Sequence, residues 1–251
     1  MTFEAIEYCV EEGVGVLRFN RPETLNSFNA QMHREVREAL ASARRDPAVR
    51  CLLITGNGRG FCAGQDLNDR AVAPGAGAVD LGDSVEQNYN PLIRAIVALE
   101  MPVICAVNGV AAGAGANIAL ACDIVIAADT VVTAGGAVAG KPRDLAEARA
   151  TLKLLSRRPH WVHTGVAVAD VARRRVYTAA ERTKVFMRPL SDREINRYFR
   201  RVSPLGMAGG FDIQGLGGVF VERVEGCYFN VVGLPLAVLA RLLRRAGVDM
   251  P

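Results

Sequence analysis

Apolar and polar residues alternate along the chain in short blocks that predict strands and helices in turn. Residues 3–9 and 14–20 are strand-forming runs around Glu11-Glu12-Gly13, the pattern of a hairpin. Asn29 stands where it can cap a helix over Ala30–Asp46, with Met32, Val36 and Leu40 at i+4 spacing on one face. Cys51–Thr55 is a short buried strand, followed by a glycine-punctuated loop over Gly56–Asp66. Residues 71–83, rich in Ala, Gly and Pro, are expected to form a mobile surface loop. A helix over Val85–Leu99 follows, its apolar face made by Leu92, Ile93, Ile96 and Val97. Then come a strand at Pro102–Val107, a loop at Gly109–Gly115, a small-residue helix at Ala114–Cys122 and a strand at Asp123–Ala127. Strand, loop and helix in repetition predict an α/β fold.

Past Asp129 the texture changes. Val131–Val138 reads as a hairpin through Gly135-Gly136, and Asp144–Leu155 as a helix capped by Asp144. Trp161–Val168 and Val176–Met187 are strand-forming, with Trp161 assigned to the core and Arg173–Arg175 to a solvated hairpin tip. Ser191-x-x-Glu194 opens a helix as a capping box. Gly215–Glu222 is expected to be a strand and Leu234–Ala246 a final helix.

Composition narrows the class. Half of the 251 residues are hydrophobic and 22% are charged, enough apolar surface for a core and too much for a disordered chain. The six cysteines form no C-x-x-C pair, which speaks against structural zinc, a redox motif or a disulfide mini-protein. No run approaches ~18 consecutive apolar residues, and MTFEAIEYCVEEG lacks the basic-then-apolar order of a signal peptide. A cytoplasmic protein without a membrane partner is therefore expected. The net charge of +4 averages two unlike halves. Residues 1–129 hold 10 Lys+Arg against 16 Asp+Glu; residues 130–251 hold 20 against 10 and contain all three lysines, Lys141, Lys153 and Lys184. Such a contrast points to different partners or different origins for the halves. No aromatic residues interleave the triple arginine, so no nucleic-acid partner is expected.

Two loops of the first half carry candidate chemistry. Gly60-Phe61-Cys62-Ala63-Gly64-Gln65-Asp66-Leu67 and the segment from Val107 to Gly115 each follow a strand and lead towards a helix. Small residues let backbone N–H groups approach a ligand, and a helix starting near Ala114 would add its positive end. Two amides converging on one oxygen make an oxyanion hole. Taken singly, each loop is more simply a tight turn.

NRPETLNSFN, LLITGNGRGFCAGQDL and PVICAVNGVAAGAGANIALACDIVIAAD together resemble the first half of the crotonase (enoyl-CoA hydratase/isomerase) family. Within it, GRGFCAGQDLNDR at 58–70 is similar to the isomerases of phenylacetate degradation. The resemblance implies that residues 1–129 are the N-terminal half of a crotonase-type ββα spiral. It implies that the amides of Ala63 and Ala114 hold the thioester oxygen of an acyl-CoA and stabilise an enolate. Gly64, Gln65, Asp66 and Leu67 would line the adenine end of coenzyme A, with Gly113 and Asn117 as further substrate contacts. Coenzyme A enters as part of the substrate, with no tightly bound cofactor. Hydratases of the family carry a carboxylate at the place of Asn117, whose amide is no general base at neutral pH. The isomerase segment G-L-x-P-D does not occur in this chain.

In the second half, a carboxylate at a strand end (Asp129) near a loop lysine (Lys141) suits a metal-bound polyphosphate, or equally a solvated surface pair. ADTVV, GKPRDLAEARATLKLLS, HTGVAV, ERTKVFMRPLSDREINRYF, AGGFDIQGLGGVFVERVEG and YFNVVGLPL resemble the Maf (septum-formation inhibitor) family of nucleoside triphosphate pyrophosphatases. The resemblance implies that 130–251 form the C-terminal part of a Maf-type α/β fold. It makes Asp129 the general base or metal-linked carboxylate, Lys141 a phosphate contact and Gln214 part of the nucleotide pocket. It also implies Mg²⁺ or Mn²⁺ and release of pyrophosphate. The family's S-x-S-P-R-R string does not occur here, and no lysine precedes Lys141.

The two resemblances exchange at Ala127-Ala128-Asp129-Thr130 with no linker between them. The expectation is a chimera in which each site lacks a group its chemistry needs. Neither activity is then at full strength. The alternatives are an active acyl-CoA isomerase or hydratase, and an active dTTP/UTP or modified-nucleotide pyrophosphatase. Its partners would be acyl-CoA thioesters or nucleoside triphosphates, and a homo-oligomer is open.

Overall fold

The computed structural model describes residues 3–66 and 85–249. The loop expected at 71–83 and the candidate contact Leu67 lie outside the described residues. The chain divides into two compact units, Met1–Ala127 with Ala169–Val176, and Ala128–Val168 with Tyr177–Pro251. The fold is mixed α/β, as the strand–helix alternation predicts.

In the first unit, β1 (Ile6–Glu11) and β2 (Val14–Phe19) form the expected hairpin, turned at Glu12 and Gly13 with positive φ. Parallel strands β3 (Cys51–Gly56), β5 (Val103–Val107) and the start of β7 (Ile124–Ala134) continue the sheet from β2. Parallel neighbours need crossovers, and helices supply them. Helix α1 (Ala30–Arg45) starts where Asn29 Oδ1 accepts the Met32 amide at 2.8 Å. The helix expected over 85–99 opens instead as a π-helical turn, Val85–Tyr89, and is regular as α2 only over Asn90–Val97. Pro91, with no N–H to give, sits in its first turn. Helix α3 (Ala114–Leu120) is short. Between β3 and β5 lies β4 (Gly60–Cys62), which pairs in parallel with β6 (Val110–Ala111), so both expected loops hold a short strand. Phe19, Phe28 and Phe61 meet at 5.2–5.3 Å between ring centres, fully buried, and anchor these loops in the core.

In the second unit the strand order is β7, β9 (His160–Asp170), β10 (Arg175–Met187), β11 (Val221–Glu225), with β8 (Ala137–Ala139) folded back on β7 through Gly135-Gly136. Helices α4 (Leu145–Leu155) and α5 (Asp192–Phe199) start on Asp144 and on the Ser191/Glu194 capping box. The core packs Val132, Leu152, Leu155, Val162, Val185 and Ile195 with Phe211 and Phe220. Two expectations change. Gly215–Glu222 is a 3₁₀ turn (Leu216–Phe220) followed by β11, because Gly217 and Gly218 press against the Asp212 and Ile213 carbonyls where a Cβ would lie 2.6 Å away. The final helix forms where expected, as α7 (Leu236–Arg245), and a short helix that the pattern did not predict, α6 (Tyr228–Val232), precedes it and ends at Gly233. Trp161 is half-buried rather than core, with the Arg182 guanidinium 4.3 Å from its ring centre. Arg173–Arg175 lie at the exposed turn between β9 and β10.

His160 gives the second unit a pH dependence. It is fully buried against Phe211, and burial pushes its imidazole down to about 4. The folded chain keeps it neutral while the unfolded chain protonates it below its ordinary value. Its contribution is therefore complete above about pH 6.5 and lost as pH falls towards about 4, some 3 kcal/mol in all. His160→Leu is expected to flatten this part of the pH profile, measured as urea midpoints across that window.

Candidate functional site

The pairing of β4 with β6 brings together the two glycine loops of the first unit. They meet backbone to backbone. Ala112 N–H donates to Cys62 O at 3.0 Å, and a Cβ on Gly115 or Gly109 would fall 2.1 or 2.2 Å from the carbonyl oxygens of Cys62 or Arg59. Gly115→Ala is thus expected to force the loops apart and destabilise the unit by about 3 kcal/mol, read from its unfolding midpoint. Asn26 and Asn108 hold the same loops from behind. Asn26, itself at φ 56°, accepts the Arg21 amide at 2.8 Å and donates to Asn57 O and Gly60 O at 2.9 and 2.8 Å. Asn108 donates to Gly58 O at 3.0 Å and accepts the Gly56 amide at 3.2 Å.

The candidate oxyanion amides differ in availability. No described bond uses Ala114 N–H, which lies in the first turn of α3, where helix amides have no intrahelical acceptor. Ala63 N–H donates to Leu25 O at 3.0 Å, so a thioester oxygen would compete with an internal acceptor. Gly64 N–H has the Cys62 thiol as its described acceptor, at 3.4 Å, and Cys62 is pushed up to about 11 by burial, which keeps it a thiol. The Gly64 backbone adjoins Ala114 N, which a Cβ on Gly64 would approach to 3.4 Å. Asp66 is buried and ion-paired to Arg21 at 2.8 Å, and Gln65 Oε1 accepts the Tyr89 hydroxyl at 2.8 Å. Both side chains therefore have work inside the protein. Gly113 (φ 52°) and Asn117 are exposed beside Ala114.

In the second unit Asp129 is exposed on β7, and its Oδ1 accepts the Thr130 amide at 3.0 Å. Lys141 and Gln214 are exposed in loops, and no described bond joins the three side chains. Among the described residues no three His, Cys, Asp or Glu side chains gather as a metal cage. A lone carboxylate is nevertheless the kind of ligand Mg²⁺ takes together with substrate phosphates. Asp129 would hold that ion, whose charge would offset that of a triphosphate. The sequence reading missed the buried polar chain behind this strand. Thr130 Oγ1 and Thr164 Oγ1 lie 2.9 Å apart, and Thr164 donates to Asn230 O at 3.2 Å. Asn230 Nδ2 donates to Val162 O and Thr183 Oγ1 at 3.0 and 2.9 Å. Its signal was Thr164 and Thr183, polar residues at the buried positions of β9 and β10.

Comparison with known proteins shows two families. The enoyl-CoA hydratase/isomerase model matches residues 10–136 and the Maf-like protein model residues 103–246, so the chain belongs to both, fused, with the matches overlapping across β5–β7. The first part is 65% identical over 119 residues to the 1,2-epoxyphenylacetyl-CoA isomerase of Escherichia coli (strain K12), covering 47% of this chain and 45% of that protein. The second is 51% identical over 124 residues to the dTTP/UTP pyrophosphatase of Carboxydothermus hydrogenoformans, covering 49% of this chain and 67% of that protein. A crystal structure of an enoyl-CoA hydratase from Mycobacterium avium subsp. paratuberculosis is 35% identical over 51% of this chain and 48% of its own, with a TM-score of 0.44. The chain thus spans about half to two thirds of the length of these curated relatives. Among the described residues no helix is long and apolar enough to cross a membrane.

Proposed function

We propose that this chain is a fusion in which neither parental activity runs at full strength, and that its first unit retains binding of acyl-CoA thioesters. The observation that carries this reading is the Ala63 amide, already committed to Leu25 O at 3.0 Å while Ala114 N–H has no described acceptor. One strong donor instead of two weakens enolate stabilisation, where losing a single oxyanion donor typically costs 10²–10³ in kcat. Asn117 stands beside the hole, and its amide is neither acid nor base at neutral pH. Binding does not need that acid or base.

The pyrophosphatase reading is favoured by Asp129, whose carboxylate is exposed and bonded only to the Thr130 amide among the described bonds. Against full activity stands the missing arginine loop. Each absent charge-assisted phosphate contact removes ~1.5–3 kcal/mol. A thermal-shift titration separates the readings. An acyl-CoA thioester is expected to raise the midpoint through ligand linkage, more than dTTP or UTP with Mg²⁺. A larger shift with the nucleotide, abolished in Asp129→Asn, would transfer the proposal to the second unit. No shift with the thioester would refute retained binding.

A further inference from the structure

A cavity of about 210 Å³ opens in the second unit between α5 and the 3₁₀ turn at 216–220, lined by residues outside both candidate sites. Its floor is apolar, made of Phe220 and Tyr198, which are 5% and 4% exposed. Leu216 and Val219 form an exposed apolar lip. Three guanidiniums, of Arg188, Arg197 and Arg201, share its wall with a single carboxylate, Glu194. That carboxylate is spoken for. It binds Arg188 Nη1 at 2.7 Å and closes the capping box on Ser191. Arg188 also leans over the Phe220 ring, 5.7 Å from its centre. Arg197, in the last turn of α5, and Arg201, just beyond the helix end, make no ion pair among the described residues. The cavity therefore carries two uncompensated positive charges over an apolar floor.

We infer that this cavity is a binding site for a small organic anion: one phosphate or carboxylate group on an apolar body about the size of a single ring. Guanidinium forks match such groups in two-point hydrogen bonds. An apolar cavity of ~150 Å³ already admits benzene, so about 210 Å³ leaves space for a ring and part of its anionic group. The two halves of the ligand answer the two halves of the site: the anion meets Arg197 and Arg201, and the ring lies on Phe220 and Tyr198.

The test is a calorimetric titration of the full chain with phenyl phosphate and, separately, with inorganic phosphate at low salt. Phenyl phosphate is expected to bind at least tenfold more tightly than inorganic phosphate. Arg197→Ala and Arg201→Ala are each expected to weaken it at least fivefold, with thermal midpoints like that of the parent chain because both residues are exposed. Lys141→Ala is expected to leave its affinity unchanged. Equal affinity for the two anions, no loss in the double Arg197→Ala/Arg201→Ala variant, or loss in Lys141→Ala would each overturn the assignment. The last would place the anion at the candidate nucleotide site instead.

Discussion

Arg21→Ala is expected to destabilise the first unit by about 3–5 kcal/mol, among the largest single-residue effects in the chain. Asp66 lies in the core side of its loop with its side chain 7% exposed, and Arg21 Nη2 reaches it at 2.8 Å. Removing the guanidinium breaks an ion pair to a buried carboxylate, which costs far more than an exposed salt bridge contributes. The same arginine also donates to Ser27 O at 2.5 Å, so the Pro22–Phe28 segment and the candidate CoA loop are tied through one side chain. Removing both charges together, as Arg21→Leu with Asp66→Asn, is expected to restore most of the loss. A double-mutant cycle on urea midpoints measures the coupling. Equal losses in the single and double variants would show that packing, not charge, holds the loop.

Asn230→Ala is expected to cost the second unit about 3–5 kcal/mol. Its side chain is fully buried, and its Nδ2 satisfies Val162 O and Thr183 Oγ1 together. Thr183 Oγ1 in turn donates to Cys227 O and accepts the Cys227 amide, both at 3.1 Å. Losing the amide takes a buried donor from Val162 O, at ~1–3 kcal/mol of desolvation, removes one of the two donors to Thr183 Oγ1, and opens a cavity as well. Asn230→Asp keeps the shape, offers no N–H and brings a charge into the buried position. It is expected to be as damaging as alanine. Guanidinium melts of both variants check the size of the effect.

The fold was legible where local patterns are strong. The hairpin at Glu12-Gly13, the Asn29 and Ser191 caps and the two glycine loops all depend on neighbours within a few residues. What escaped were features set by distant contacts. The GLGG run at 215–218 reads as a strand start, yet close approach to the 212–213 carbonyls bends it into a 3₁₀ turn. Trp161 reads as core by its size, yet its strand position faces outward, where Arg182 and Lys184 cover it. At the candidate site the loops were found from glycine spacing. That the Ala63 amide would meet Leu25 O was not, because Leu25 takes a left-handed conformation (φ 52°) within an Asn26-pinned turn. The ion pair of Asp66, which the family resemblance sets at coenzyme A, with the distant Arg21 was not legible either.

The fusion also explains the charge contrast. The acidic first half and the arginine-rich second half correspond to segments of two families, matched over 10–136 and 103–246. What the fusion does rests on whether the first unit still acidifies a thioester. The direct measurement is deuterium exchange at the α-carbon of an acyl-CoA thioester followed by NMR in heavy water. Exchange at the background rate, with the thioester bound, is the result expected of a unit that keeps Ala114 N–H but lacks a proton acceptor at Asn117. Exchange well above background, lost in Gly115→Ala, would contradict that account and make the chain a working acyl-CoA enzyme.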